Sequence, residues 1–184
     1  MTGIDARQAA QALSEIDGVV RRVRQSRIYD IASLMLMQWG ALVVAGYLGS
    51  YVWPRAAGWL WVAVNVVGIA GSFSIGAFVR RRTGAGGFDL RVLLALLLFF
   101  AFGYFTCVLG HFGPRELGAF WALYFMLVYT IAGLWVGRAF VAIGLGIAAL
   151  TLLGYFFVGV WFEPWMAVVN GGGLILGGLW MRRD

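Results

Sequence analysis

The chain has 184 residues, 62% of them hydrophobic and 12% charged, with a mean hydropathy of +0.86. A soluble domain of this length is nearer half apolar and a quarter charged, so composition excludes an ordinary soluble globule and points to a polytopic membrane protein forming one bundle. The net charge of +6 does not imply nucleic acid, because all 14 basic residues are arginines standing at the ends of apolar runs, where topology signals stand.

Chain order begins with an amphipathic segment, from Asp5 to Arg27. Ala9, Leu13, Ile16, Val20 and Val23 recur at spacings of four and three, one stripe of an α-helix, with Arg7, Gln11, Glu15, Asp17, Arg21, Arg22 and Arg24 around it. The pattern predicts a cytoplasmic amphipathic helix within residues 1–27, lying on the lipid surface or docked on the bundle. The other reading is a coiled-coil arm that pairs with a second copy or a partner protein, for which fewer than three heptads is short. The first long apolar run starts near Ile28 and exceeds a signal-peptide core, so the N-terminus is expected to be kept.

Residues 28–184 read as an all-α, six-helix transmembrane domain. The spans fall at about 31–51, 59–79, 90–109, 117–136, 139–160 and 165–181, each near the roughly 20 residues that cross a hydrocarbon core. Small residues four apart let neighbouring backbones approach: Ala41, Ala45 and Gly49 in the first span, Gly68, Ser72 and Gly76 in the second, Gly173 and Gly177 in the sixth. The glycine-rich stretch from Thr83 to Phe88 lacks the lysine and spacing of a phosphate-binding loop and reads as a linker. Gly137-Arg138 is so short a turn that spans four and five must be tightly paired. An internal N-terminus places twelve arginines on the cytoplasmic side and only Arg55 and Arg115 outside. Six crossings of a bacterial inner membrane, with both termini cytoplasmic, are therefore expected.

The six spans pair into three similar hairpins. Gly46-Tyr47-Leu48, Gly103-Tyr104-Phe105 and Gly154-Tyr155-Phe156 each come shortly before one of the three prolines, Pro54, Pro114 and Pro164. Pro54-Arg55, Gly58 and Trp61 repeat the spacing of Pro114-Arg115, Gly118 and Trp121. Hairpins that all enter from the cytoplasm are parallel repeats, related by an axis along the membrane normal.

Chemistry has few places to sit. None of the eight acids lies near a span midpoint, which argues against a carboxylate-driven proton or sodium pump. Asp30 and Asp89 stand at span entrances near Arg27 and Arg91, where pairing or placement at a helix N-terminus explains them. The single Cys107 excludes an internal disulfide and packs in an apolar span, and the single His111 leaves too few ligands for zinc or haem. No nucleophile has a base at matching depth, so no enzyme and no cofactor is expected. Polar residues lean toward the outer half: Asn65, Asn170, Tyr47, Tyr104 and Tyr155, crowned by His111 and Glu116. The two asparagines need partners in lipid and are read either as bonds between helices or as the polar groups of an outward-facing aromatic pocket. His111 beside Glu116 is read as a solvated loop residue or a pH-sensitive pair. The tryptophans near both interfaces fit an interfacial belt.

Gly103-Tyr104-Phe105 followed by Pro114-Arg115-Glu116-Leu117-Gly118-Ala119-Phe120 resembles a hairpin of the six-helix acid-resistance (HdeD-like) membrane proteins. That resemblance implies three successive two-helix repeats and a stress-protective role with no known chemistry; the tryptophan content and the amphipathic arm depart from it. The residues themselves lead to a different first expectation: a membrane protein that senses or translocates a small apolar or lipid-like molecule. The alternative is a non-catalytic structural or regulatory protein whose N-terminal helix recruits another copy or a partner.

Overall fold

The computed structural model describes residues 6–83 and 90–183. Among them every regular element is helical. The elements are α1 (Ala6–Val52), a 3-10 turn (Pro54–Ala56), α2 (Ala57–Thr83), α3 (Leu90–Leu109), α4 (Pro114–Val136) and α5 (Arg138–Phe157). A second 3-10 turn (Gly159–Trp161) then leads into a final stretch of three abutting pieces: α6 (Phe162–Met166), a π-turn (Ala167–Gly172) and α7 (Gly173–Met181). Asp5, the glycine-rich linker after Thr83, Asp89 and Asp184 lie outside the described residues.

Four stretches are long and apolar enough to cross a membrane: Tyr29–Val52, Pro54–Val79, Pro114–Val136 and Arg138–Phe157. Leu93–Leu109 is apolar but shorter, and the final stretch is broken by its π-turn. The amphipathic segment and the first span form one helix of 47 residues. Between Val19 and Trp39 the sequence has neither glycine nor proline, so nothing ends the i to i−4 hydrogen-bond ladder there. The segment therefore continues the helix of the span, with Leu13 and Ile16 exposed.

Helix α1 is the hub. On one side it meets α2, where Trp39 lies over Gly68 and donates from Nε1 to Ser72 Oγ at 3.0 Å. Gln38 Nε2 donates to the Gly68 carbonyl at 2.8 Å, and Gly49 faces Leu60. On its other side α1 meets the final stretch antiparallel: Gly171 faces Gly40 and Val44, and Gly178 faces Ser33 and Met37. Gly173 and Gly177 turn the opposite way, toward Ile147 and Ile143 of α5. Small residues at both faces bring the backbones close, as van der Waals packing in lipid requires. Gly49, Gly68, Ser72, Gly173 and Gly177 thus stand at helix contacts, whereas Ala41 and Ala45 are exposed.

One residue, Gly137, joins α4 to α5, and the pair packs along Gly133 with Val141 and Gly144 with Thr130. Helix α3 rests on α4 through aromatic rings: Phe99 stacks on Tyr124 at 4.3 Å, and the Tyr124 hydroxyl donates to the Phe99 carbonyl. The rest of α3 exposes Leu94, Leu97, Phe102, Phe105 and Leu109, an apolar surface suited to lipid. Two buried clusters result. One holds Tyr29, Leu36, Met126, Phe140, Ile143, Leu174 and Met181. The other, near the three prolines, holds Tyr47, Ala119, Ala122, Phe162, Met166 and Ala167.

Candidate functional site

The proline end carries the densest polar chemistry. Tyr47, in the last turns of α1, is 3% exposed, and its hydroxyl donates to the Gly118 carbonyl of α4 at 3.0 Å. The Asn170 side chain lies near the same hydroxyl. One tyrosine thus ties α1 to α4, beside the π-turn. Asn170 is buried where the chain winds widest, followed by three glycines with no side chain to crowd the turn. Trp61 of α2 meets the Tyr47 ring edge-on at 5.0 Å and donates from Nε1 to Ser50 Oγ at 3.1 Å.

Arg115 closes the other side of this end. From the first turn of α4 it donates through Nη2 to the Tyr155 carbonyl, with the Gly154 carbonyl at 3.4 Å. Those carbonyls belong to the last turn of α5, the negative end of its dipole, where a guanidinium is stabilised. Its Cζ sits 5.4 Å from the Tyr155 ring centroid and 5.2 Å from that of Phe162, both cation–π distances. Its Nε is buried with no hydrogen-bond partner among the described residues. Glu163, in the first turn of α6, is half-buried, and burial pushes its carboxyl above the ordinary value.

A packing device recurs at this end three times. Gly46 lies against the ring of Trp61, Gly103 against Trp121, and Gly154 against Trp165. Each glycine of a Gly-Tyr pair therefore seats a tryptophan from the following helical segment. The sequence signals it only in part, because the tryptophan follows its proline by seven positions in two cases and by one in the third.

The seven residues expected to form a pocket have separate fates. Tyr47, Asn170 and Tyr155 come together in and around the second cluster, close-packed by Phe162 and Met166. Asn65 donates instead to the Trp61 carbonyl of its own helix at 2.8 Å, the i to i−4 bond an amide makes when no neighbour is in reach. Tyr104 is 64% exposed on α3 and meets only Phe105 among the recorded ring contacts. His111 takes a positive φ of 50° in the turn between α3 and α4, and its Nδ1 lies 3.1 Å from the Leu109 carbonyl. Glu116 folds back over Gly113 at the start of α4, where a carboxylate meets the positive end of a helix. His111 and Glu116 thus sit in separate local arrangements.

An open groove of about 360 Å³ lies elsewhere, between α5 and the final stretch. Gly146, Leu150, Gly173, Leu176, Gly177 and Trp180 are among its lining residues, and none of the seven expected residues is. Gly146 is exposed on it, and a side chain there would meet nothing within 4 Å. Among the described residues no group of three or more His, Cys, Asp or Glu could hold a metal ion. No family model, no curated protein and no solved structure matches the chain.

Proposed function

We propose that this chain is a non-catalytic, six-span protein of the bacterial inner membrane, both termini cytoplasmic, that holds a lipid-like apolar molecule in the groove between α5 and the final stretch. The observation that carries this reading is the groove itself: an open, apolar trough of about 360 Å³ between α5 and the final stretch, with room beside Gly146. An acyl chain suits such a trough by its shape and apolar surface, held there by van der Waals packing against the lining side chains. Support for six crossings comes from α3, whose 20 residues run antiparallel to α4, and from the final stretch, antiparallel to α1. Three glycine–tryptophan seats favour a triplicated hairpin, and with it the resemblance to the three-hairpin acid-resistance proteins.

The test fills the trough. Gly146→Leu places a side chain where nothing stands, so the fold should persist while a fluorescent fatty-acid probe, deprived of its packing against the lining, binds more weakly. Asn170→Leu, at the packed proline end, should leave probe affinity unchanged. Equal affinity in wild type and Gly146→Leu would overturn the reading.

A second reading rests on α1. Its segment before Tyr29 continues the span's helix and leaves Leu13 and Ile16 exposed, a surface suited to recruiting a partner protein or another copy. Deleting residues 1–25 would then release a co-purifying protein while probe binding stays intact.

A further inference from the structure

Beyond holding an apolar chain, the groove has a charged end, and that end names the ligand's head. Arg138 opens α5 next to Ala139, and Arg182 and Arg183 follow Met181 at the end of α7. Ala139 and Met181 lie in the same buried cluster, so the three arginines stand at one end of these helices. Trp180 and Gly177 line the groove just short of that end. All three arginines are exposed. Asp30, exposed on α1 near the same end, and Asp184, which follows Arg183 in the sequence, set two carboxylates against the three guanidiniums, and the balance stays positive. The free N–H groups at the start of α5 add to it.

We infer that the groove is a site for an anionic phospholipid of the adjacent leaflet, with one acyl chain in the trough and the phosphate against Arg138, Arg182 and Arg183. The inference rests on the lipid-binding reading above and adds to it the head-group class and the direction in which the lipid lies. Basic pockets between transmembrane helices bind anionic head groups for this reason. A guanidinium fork pairs with phosphate oxygens through two parallel hydrogen bonds. A zwitterionic lipid presents the same phosphate with its charge offset by a nearby cation, so the arginine end should prefer phosphatidylglycerol. Tethering matters as well, because a phosphate brought with its chain is held at two points, whereas a free phosphate ion is held at one.

The experiment counts lipids retained by the full-length protein, purified in detergent and equilibrated with an equimolar mixture of phosphatidylglycerol and phosphatidylcholine of identical chains, by native mass spectrometry. Wild type should retain phosphatidylglycerol over phosphatidylcholine by about tenfold or more, given the attraction each arginine adds at a lipid surface. The triple variant Arg138→Gln, Arg182→Gln, Arg183→Gln should keep a bound lipid and lose the preference. Arg55→Gln, at the opposite end, should keep both, and 10 mM inorganic phosphate should displace nothing. Gly146→Leu should retain less lipid than wild type. An unchanged preference in the triple variant, or displacement by inorganic phosphate, overturns the anionic-lipid inference while leaving lipid binding in the groove intact. Retention that Gly146→Leu does not reduce overturns the groove itself, and with it the reading on which the inference rests.

Discussion

At Tyr47 a single hydroxyl joins α1 to α4 in an apolar surround, so its removal is informative. Tyr47→Phe keeps the ring against Trp61 and removes the bond to the Gly118 carbonyl, which keeps its partner within α4, a cost of about 1 kcal/mol. A thermal melt in detergent should show the loss; a melt unchanged from wild type would refute it. Glu163 gives a pH signature. Burial raises its carboxyl, so the folded state favours the neutral form. The contribution is fully present below the ordinary carboxylate value and is lost as pH rises through the raised one. Glu163→Gln should therefore melt about 1–2 °C above wild type at neutral pH and level with it near pH 4; a constant offset at every pH would refute the assignment. His111 holds a left-handed backbone that costs a non-glycine residue about 1 kcal/mol. His111→Gly should melt no lower than wild type, whereas a residue with a binding role would show its loss in ligand affinity. The sequence showed which residue types were polar at the proline end but not which way they face. Tyr47, Tyr104 and Tyr155 follow the same glycine in three similar strings, yet the first is buried, the second exposed and the third half-buried. Their neighbours differ, and neighbours are set by packing between helices far apart in the chain.

Among the elements, the contact between α1 and the final stretch depends most on missing side chains. A Cβ at Gly171 would lie 2.5–2.9 Å from Val44 Cγ2, Val44 N and the Gly40 carbonyl, mostly backbone that cannot rotate away. Gly171→Ala should cost about 2–3 kcal/mol, the upper range for overpacking, and lower the yield of folded protein. Gly118→Ala is the contrast, because its nearest atoms, on Phe162 and Tyr47, would be 3.4–3.5 Å away in ordinary contact. Its melt should match wild type within error. Helix existence was legible throughout, since long apolar runs and their bounding arginines leave little choice. The tight turn at Gly137 and the close face at Gly173 and Gly177 were legible too. The π-turn was not, because an extra residue in a helical turn leaves hydrophobic periodicity almost unchanged over six residues. The groove was equally hidden: its lining comes from α5 and the final stretch together, a pairing across separate segments that no local pattern shows.

For the whole molecule, the asymmetry of charge is the feature that orients everything else. Arg55 and Arg115 mark the proline end, and the other arginines lie toward the end where α1 begins. In a Cys107→Ala background, Ser14→Cys should be labelled by a membrane-impermeant maleimide only after cells are opened, and Ala56→Cys in intact cells. The reverse pattern would invert the proposed topology. The continuity of α1 adds a mechanical consequence. A rod of 47 residues is about 70 Å long, and ring contacts hold it from Tyr29, against Phe140, to Tyr51, against Trp161. Should a partner dock on the exposed Leu13 and Ile16, as in the second reading, one unbroken helix would join that contact to the Tyr47 hydroxyl and the Gly118 carbonyl it holds at the far end.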